Sequence, residues 1–312
     1  MKSNRWLRLG LPCLAALSVS LSSIPAGAAE EPEYTFTTVD YPGAAATQIW
    51  GMNQSRDVVG FYMNVFGQPA HGFLLSEGSY TSVDFPGSTA TTLVGIGPSG
   101  EIVGDYLLPG GPTWGAWQSF RLTKNGEFID ANYPGHLSTV PVRVLPDGTI
   151  IGFATDGTPT SKHGITISQK GNTECSLVNS QHNAATPDGS VIVGYYVSQD
   201  LNGQWTQTHG YIQEEGIAVT FDVPESTKTM PYGINPAGNV VAGTFVDNTA
   251  KTHGFVAEKR GGSSEAWRFA QIDFPGATAT YVWASNPGGD LAGRYVSSDG
   301  KWHGFIACHL ED

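Results

Sequence analysis

Short apolar runs recur along the whole chain, and clusters of glycine, proline and asparagine separate them. Within the runs, apolar and polar residues tend to alternate, which is typical of half-buried β-strands. The stretch from Thr47 to Phe85 contains four such runs, and related stretches follow it at spacings of roughly 40 to 50 residues. A repeat of this length built from four short strands predicts the blade of a β-propeller.

The repeat occurs six times, and each copy opens with a threonine or serine. The copies begin at Thr47, Thr91, Thr139, Ser180, Thr229 and Thr280. The sixth copy ends after its third strand, whereas residues 34–40 alternate like a fourth strand that lacks a partner. We therefore predict an all-β fold, a six-bladed β-propeller with four-stranded antiparallel blades, closed by the N-terminal strand pairing in the last blade. The propeller is expected to form one domain over residues 30–312.

A histidine followed by glycine opens the third strand in five copies. These residues are His71, His163, His209, His253 and His303. They could converge on a metal ion, or each could pair inside its own blade. Hairpin spacing places His71 opposite Asp84 and His303 opposite Asp40, while the second copy carries glutamine and asparagine at the two positions. Because both positions change together, the pattern favours a hydrogen-bonded pair within each blade, and no metal site is predicted.

The first 29 residues have the pattern of a secretory signal peptide. Lys2, Arg5 and Arg8 precede an apolar run too short to span a bilayer, and small residues follow at 26–29. Loss of this segment would leave 13 Lys and Arg against 28 Asp and Glu, a net charge of −15. Such a charge disfavours nucleic acid and anionic membranes as partners. We expect a secreted protein, extracellular or periplasmic, without a membrane span.

Positions at which the copies differ are the candidates for function. The first strands, which line the channel of a propeller, carry mostly small residues, but copy three carries Arg143 and copy four carries His182 and Asn183. Together with Tyr232, Arg143 and His182 are candidate catalytic residues that would polarise and protonate an anionic substrate at the channel mouth. The alternative is that an irregular blade satisfies its own polar groups with these side chains.

Aromatic residues mark the loops that join the second and third strands, on the face where propellers usually bind ligands. They are Phe66, Trp114, Trp117, Trp205 and Trp302. Exposed indole rings offer apolar faces and a polar N–H edge, which suit sugars or another protein. With Asn183 they form the candidate ligand-binding set. The alternative is that these rings pack between neighbouring blades.

The segments Gly233–Gly238, Val240–Gly243 and His253–Phe255 give the pattern Gly-Ile-Asn-Pro-x-Gly, Val-Val-x-Gly, His-Gly-Phe. This pattern resembles the bacterial extracellular repeat family named for a His-Ala-Phe tripeptide, with glycine in place of the alanine. The resemblance extends over most of the chain after the signal, although copies two to four are degenerate. It implies an exported, repetitive bacterial β-protein and brings no catalytic residue or cofactor.

The predicted function is a secreted binding module that holds a glycan, small molecule or protein on the tryptophan-bearing face. The alternative is an extracellular lyase or hydrolase that acts on a polysaccharide or small metabolite near Arg143 and His182. A third possibility is a structural envelope protein without a ligand. No phosphate-binding glycine motif, zinc spacing or nucleophile elbow is recognisable, so no cofactor is predicted, and we expect a monomer.

Overall fold

The computed structural model describes residues 33–110, 117–158, 161–200, 202–259 and 267–310. The predicted signal peptide and Trp114 lie outside these residues. The described residues form 24 β-strands, and none of them lies in a helix that could cross a membrane.

The strands follow one another as antiparallel groups of four, which we call units 1 to 6. Unit 1 comprises β2 (Ala46–Met52), β3 (Val58–Met63), β4 (His71–Ser76) and β5 (Ser79–Ser82). Unit 2 comprises β6 (Ala90–Ile96), β7 (Ile102–Leu107), β8 (Gln118–Leu122) and β9 (Phe128–Asp130). Unit 3 comprises β10 (Ser138–Val144), β11 (Ile150–Thr155), β12 (Lys162–Ile167) and β13 (Thr173–Glu174).

The second half of the chain repeats this arrangement, and its last unit takes a strand from the first half. Unit 4 comprises β14 (Ser180–Ala185), β15 (Val191–Gln199), β16 (Trp205–Glu214) and β17 (Ile217–Thr220). Unit 5 comprises β18 (Lys228–Ile234), β19 (Val240–Val246), β20 (Thr252–Lys259) and β21 (Trp267–Ile272). Unit 6 comprises β22 (Ala279–Ser285), β23 (Leu291–Val296), β24 (Trp302–His309) and β1 (Tyr34–Thr38).

Hydrogen bonding groups the described strands into five sheets rather than the six separate sheets that the sequence predicted. Units 1, 2, 3 and 6 are separate four-stranded sheets, whereas units 4 and 5 form one sheet of eight strands. The long strand β16 reaches the start of β18, and a single parallel bridge between Thr208 and Lys228 joins them. All other neighbours within these two units are antiparallel.

The first strands of the units lie side by side around an axis. Each first strand contacts the next in the order β2, β6, β10, β14, β18 and β22, and β22 contacts β2. The hydrophobic core lies between neighbouring units rather than within one layer, because each sheet buries its faces against the next. One cluster, for example, joins Ile49 and Phe73 of unit 1 to Ala284 and Ala292 of unit 6.

The residue after each His-Gly or its equivalent anchors this core. The six side chains have no exposed surface and are Phe73, Phe120, Ile165, Tyr211, Phe255 and Phe305. The preceding glycine is required by close approach, since a Cβ at Gly304 would collide with the carbonyl oxygen of Val39. The repeated His-Gly-Phe pattern therefore places one large ring in the core and lets the adjacent strand lie against the backbone.

The opening threonines connect consecutive units. In five units the Thr Oγ1 accepts a hydrogen bond from a backbone N–H six residues earlier, in the loop that arrives from the preceding unit. The N–Oγ1 distances are 2.9 Å for Tyr41–Thr47, 3.0 Å for Phe85–Thr91, 2.8 Å for Tyr133–Thr139, 3.0 Å for Val223–Thr229 and 2.9 Å for Phe274–Thr280. All five threonines are buried, so each hydrogen bond is shielded from water.

The predicted pairs inside the units are confirmed in five of the six. The Nδ1–Oδ2 distances are 2.9 Å for His71–Asp84, 2.6 Å for His209–Asp222, 2.7 Å for His253–Asp273 and 2.7 Å for His303–Asp40. In unit 2, Asn132 donates to Gln118 over 3.0 Å. Unit 3 is the exception, because its fourth strand carries no aspartate at this position. The charged neighbours of His163 are instead Asp156 and Glu174, each at 3.9 Å.

The N-terminal strand closes unit 6 as predicted. Strand β1 pairs antiparallel with β24, from Tyr34 opposite His309 to Thr38 opposite Phe305. Beyond the strand, Asp40 accepts hydrogen bonds from the backbone N–H of Gly304 at 3.2 Å and from His303 at 2.7 Å. The carboxylate of Asp40 thus joins two segments that lie more than 260 residues apart in the chain.

We predict that Asp40→Ala lowers the free energy of unfolding by about 1–3 kcal/mol, because it leaves a buried N–H and an imidazole without their acceptor. Asp84→Ala is the matched control, since Asp84 makes the same two hydrogen bonds inside unit 1 and its side chain is similarly exposed, 39% against 37%. Urea unfolding should show a larger loss for Asp40→Ala, because only Asp40 holds the ends of the chain together. Equal losses would contradict a special role for ring closure.

Candidate functional site in the channel

Each first strand carries a β-bulge at the same position. The register with the second strand shifts by one residue in all six units, and the bulged residues are Trp50, Val94, Val142, Asn183, Tyr232 and Trp283. A bulged residue is left out of the regular ladder, so its carbonyl is free to accept a hydrogen bond from elsewhere. Because the first strands surround the axis, these carbonyls become available in the channel.

Arg143 takes up five of these six carbonyls. Its Nη1 donates to the carbonyl oxygens of Trp50, Val94 and Val142 at 3.3, 3.4 and 2.8 Å. Its Nη2 donates to the carbonyl oxygens of Tyr232 and Trp283 at 3.3 and 2.8 Å. A single guanidinium therefore bonds to units 1, 2, 3, 5 and 6, which places it at the axis.

The guanidinium of Arg143 keeps its charge despite this position. Burial lowers its pKa to about 10, which still leaves it protonated at neutral pH. The ring of carbonyl dipoles provides the negative ends that offset the loss of hydration. Arg143 and the carbonyls therefore satisfy each other's hydrogen-bonding needs in the centre of the fold.

Two cavities lie at the ends of the channel. The first, which we call the turn cavity, has a volume of about 450 Å³ and is lined by Arg143 and by prolines of the turns after the first strands, such as Pro146 and Pro236. The second, which we call the mouth cavity, has a volume of about 320 Å³. It is lined by five of the bulged residues, four of which give their carbonyls to Arg143. Arg143 thus lies between the two cavities.

Aromatic rings form much of the wall of the mouth cavity. The rings belong to Trp50, Phe61, Phe153, Tyr195 and Tyr232. The Trp50 ring stacks on Trp283 with centroids 4.6 Å apart and planes 7° apart. A concave site walled by aromatic rings with a few polar groups is the usual form of a small-molecule site.

Asp105 is the acidic group of the mouth cavity. Its side chain is buried, and it accepts a hydrogen bond from the hydroxyl of Thr92. Burial raises the pKa of Asp105 to about 7, because the ionised carboxylate is poorly solvated there. A carboxyl group that titrates near neutrality can donate a hydrogen bond to a ligand when protonated or accept one when ionised.

Lys162 is the basic group of the same cavity. Its ammonium lies over the ring of Phe153 at 5.2 Å and of Tyr195 at 5.9 Å. It makes no ion pair with any residue in the part of the chain that the structure describes. Burial lowers the pKa of Lys162, which shows that the cavity stabilises the cation poorly without an anion. The cavity therefore offers one ammonium to which a ligand can supply the counter-charge.

A series of stacked rings and one cation leads from the surface toward the channel. Phe66, 54% exposed, packs edge-to-face on Trp302 with centroids 5.0 Å apart. The guanidinium of Arg294 lies 3.9 Å from the Trp302 ring and 5.0 Å from that of Trp283. Trp283 in turn stacks on Trp50, which lines the mouth cavity. We call Phe66, Trp302 and Arg294 the rim group.

The structure separates the three residues predicted to be catalytic. Arg143 faces the turn cavity and Tyr232 lines the mouth cavity, while His182 lines neither. His182 is only 2% exposed and packs between units 3 and 4 against Gly164, where burial lowers its pKa to about 4. Because the imidazole is neutral and enclosed, it cannot share a substrate with Arg143 in this arrangement. The geometry does not bring the three side chains into one site.

The predicted ligand-binding residues are divided in a similar way. Phe66 and Trp302 meet in the rim group, and Asn183 lines the mouth cavity, where its Nδ2 donates to the carbonyl of Pro231 at 2.8 Å. Trp117, just before β8, and Trp205, at the start of β16, are half-buried, and among the described residues neither ring contacts Phe66 or Trp302. Trp114 lies outside the described residues.

Asp105, Lys162 and Arg294 were not among the residues predicted from the sequence. A signal for two of them exists, because Asp105 and Arg294 each follow the glycine of a second strand. The six residues at this position are Phe61, Asp105, Phe153, Tyr195, Thr244 and Arg294. Four of them line the mouth cavity, so the second strands complete a wall that the first strands begin.

Comparison with solved structures shows the fold. A protein assigned as TolB from Agrobacterium tumefaciens has a TM-score of 0.52 at 14% identity, over 86% of this chain and 90% of the other. A gluconolactonase from Xanthomonas campestris has a TM-score of 0.50 at 14% identity, over 89% and 90%. TolB from Acinetobacter baumannii has a TM-score of 0.48 at 12% identity, over 86% of this chain but 55% of that longer one.

The first two similarities support a β-propeller fold. No protein-family model matches the sequence, and no curated protein matches it either. The likeness to the His-Ala-Phe repeat family therefore remains a resemblance of motifs.

We predict that Arg143→Met lowers the free energy of unfolding by about 3 kcal/mol or more, because five carbonyls lose a charged donor in a site remote from bulk water. Arg121→Met is the control, since Arg121 makes a half-buried pair with Glu101 at 2.7 Å. Urea unfolding of both variants measures the difference. If Arg143→Met proves no less stable than Arg121→Met, the guanidinium does not hold the units together.

We also predict a pH dependence that Asp105 controls. Between about pH 4 and pH 7 the unfolded chain loses the proton of this carboxyl while the folded protein keeps it, so stability should fall as the pH rises and level off above about 7. Relative to Asp105→Asn, the wild-type protein should lose on the order of a few kcal/mol across this range. Thermal unfolding of both proteins at pH 4.5 and 8 tests this, and parallel curves would refute the raised pKa.

Proposed function

We propose that this protein is a secreted carbohydrate-binding β-propeller that holds the end of an oligosaccharide in the mouth cavity. The observation that carries the proposal is the composition of the cavity, aromatic walls around a few buried polar groups. Sugars present C–H faces that stack on aromatic rings and hydroxyls that pair with amides and carboxyls. The volume of about 320 Å³ lies near the lower end for ligand sites, which suits one terminal residue better than a whole chain.

The charges favour an acidic sugar. Lys162 has no anionic partner among the described residues, and the carboxyl of Asp105 is protonated up to about pH 7. A uronic acid would supply a carboxylate to Lys162 and accept a hydrogen bond from protonated Asp105. Longer oligosaccharides would continue over Trp302 and Phe66 of the rim group.

The number of blades is part of the same proposal. We count units 4 and 5 as two blades, because a single parallel bridge joins them while each has its own bulged first strand. The cyclic contacts of the six first strands support this count. A six-bladed ring would place the mouth cavity on its axis, so every unit would lie within reach of a bound ligand.

Secretion and a monomeric state also remain proposals. The pattern of residues 1–29 and the resemblance to an extracellular repeat family support export, either to the periplasm or beyond the cell. An acidic net charge keeps such a protein away from anionic polymers in general, so a uronic acid would depend on the local charge of Lys162 for binding.

A second function, an extracellular lyase or hydrolase, is favoured by one observation. Asp105 titrates near neutral pH and lines a cavity with Lys162, which are the properties of a general acid–base pair. In this version Asp105 takes the role that the sequence assigned to His182, and Tyr232 remains beside the substrate. The two functions differ in whether the bound sugar is consumed.

We predict that the exported protein binds uronic-acid-terminated oligosaccharides on a glycan array, and that Lys162→Met weakens the affinity at least about 10-fold because a charged contact is lost. Lys301→Met is the matched control, since Lys301 is 65% exposed and pairs with Asp299. Trp302→Ala should weaken the binding of long oligosaccharides more than that of short ones.

Chromatography of the mixture distinguishes binding from catalysis. An enzyme would release products from the oligosaccharide, and Asp105→Asn would abolish their release.

Two results would overturn the proposal. One is an array without binding to any glycan, and the other is an affinity that Lys162→Met and Lys301→Met change equally. Circular dichroism of each variant checks that the fold is kept.

A further inference from the structure

Unit 3 departs from the other units at its histidine. Elsewhere the histidine pairs with an aspartate after the fourth strand, but in unit 3 that aspartate is missing and the N–H of Gly164 bonds to Ser180 instead. A second histidine, His136, stands in the loop before β10, where the corresponding loops carry Ala44, Ser88, Ser226 or Ala277. Unit 3 alone therefore brings two imidazoles together.

The two rings face each other between two carboxylates. Their centroids are 5.1 Å apart with planes inclined at 39°. Nδ1 of His136 is 2.7 Å from Asp156, and Nε2 of His163 is 3.9 Å from the same carboxylate. One nitrogen from each ring and one oxygen of Asp156 lie within 4.8 Å of one another.

Glu174 occupies the other side of the two rings. Its carboxylate is 3.1 Å from Nε2 of His136 and 3.9 Å from Nδ1 of His163. These are the ring nitrogens that do not face Asp156. Glu174 accepts the Nε2–H of His136, which leaves the nitrogen that faces Asp156 as a free electron-pair donor, the usual arrangement behind metal-binding histidines, and it also lies beside Nδ1 of His163.

We infer that His136, His163 and Asp156 form a binding site for Zn²⁺ or a chemically similar first-row cation. Two imidazoles and a carboxylate are a common zinc ligand set, whereas Ca²⁺ and Mg²⁺ prefer oxygen ligands alone. Around tetrahedral zinc the ligand atoms lie roughly 3.3 Å apart because the bonds are about 2.0–2.1 Å long. The side chain of Asp156 is 52% exposed, so it can rotate and shorten the distance of 3.9 Å between its carboxylate and Nε2 of His163.

The site has an open side. Three protein ligands leave a fourth position for water or an anion, and the half-exposed Asp156 and Glu174 leave a path from solvent.

Unit 5 offers an internal comparison. His253 also lies between two carboxylates, with Asp273 at 2.7 Å and Asp247 at 3.5 Å, but a second imidazole is missing because Ser226, in the loop before β18, is the counterpart of His136. The proposal therefore assigns binding to unit 3 and not to unit 5.

The test is calorimetric titration of the untagged, chelator-treated protein with Zn²⁺ at pH 7.5, and we predict one equivalent bound per chain. His136→Ala and His163→Ala should weaken the affinity at least about 100-fold, and Glu174→Gln about 10-fold through the orientation of the rings. His253→Ala should leave the affinity unchanged. His136→Ala is expected to fold, because other units carry alanine or serine at this position.

Spectroscopy provides a second readout that stability does not affect. Co²⁺ in place of Zn²⁺ should give the visible absorption of a tetrahedral site with nitrogen ligands, and His136→Ala should abolish it. The proposal is overturned if the wild-type protein binds no more Zn²⁺ than a variant without His136 and His163. It is also overturned if His136→Ala and His253→Ala change the affinity equally. In either case the cluster serves only as a network of ion pairs.

Discussion

One guanidinium at the axis holds the centre of this protein together. The bulges of six strands direct carbonyl groups into the channel. Without a hydrogen-bond donor these carbonyls would be buried, unsatisfied acceptors that oppose the assembly of the ring. Arg143 supplies donors to five of them from one side chain. Because like charges repel, only one copy can carry this residue. The equivalent residues elsewhere are accordingly small, Gly51, Gly95, Ala184, Gly233 and Ala284. A repetitive fold therefore depends on one residue that is not repeated.

The repeat made a large part of the architecture predictable. Opening threonines, His-Gly-Phe third strands and the unpaired leading strand all report local hydrogen bonds or hairpin spacing, which a single sequence displays. The structure confirms the pairing of β1 with β24 and the pairs of His71, His209 and His303. The division into sheets was predicted less well, since the bridge between units 4 and 5 depends on the length of β16, and turn signals do not determine that length.

The candidate sites were harder to predict, for a physical reason. Which cavity a side chain faces depends on bulges and on the tilt of neighbouring units, which the alternation of apolar and polar residues does not show. Arg143 was identified as unusual, but its partners are backbone carbonyls, which sequence motifs cannot show. His182 was identified on the same grounds and proved to be enclosed between units. Asp105 lies in a second strand and Lys162 in a third strand, whereas the sequence-based candidates came from first strands and loops.

Unit 3 contributes more to the chemistry of the molecule than its share of the chain suggests. It provides Arg143 to the axis, Lys162 and Phe153 to the mouth cavity, and the paired imidazoles of His136 and His163. It also lacks the internal pair that the other units share. The missing pair and the additional polar groups therefore occur in the same unit.

The strand that completes unit 6 has a consequence for biosynthesis. Residues 34–38 leave the ribosome among the first of the folded part, yet their partner, 302–309, is among the last. Pairing over such a separation carries a high entropic cost until the intervening units are in place. The nascent polypeptide therefore cannot complete its structure until β24 has been synthesised. A product terminated before β24 would leave both β1 and β23 without their partner strand.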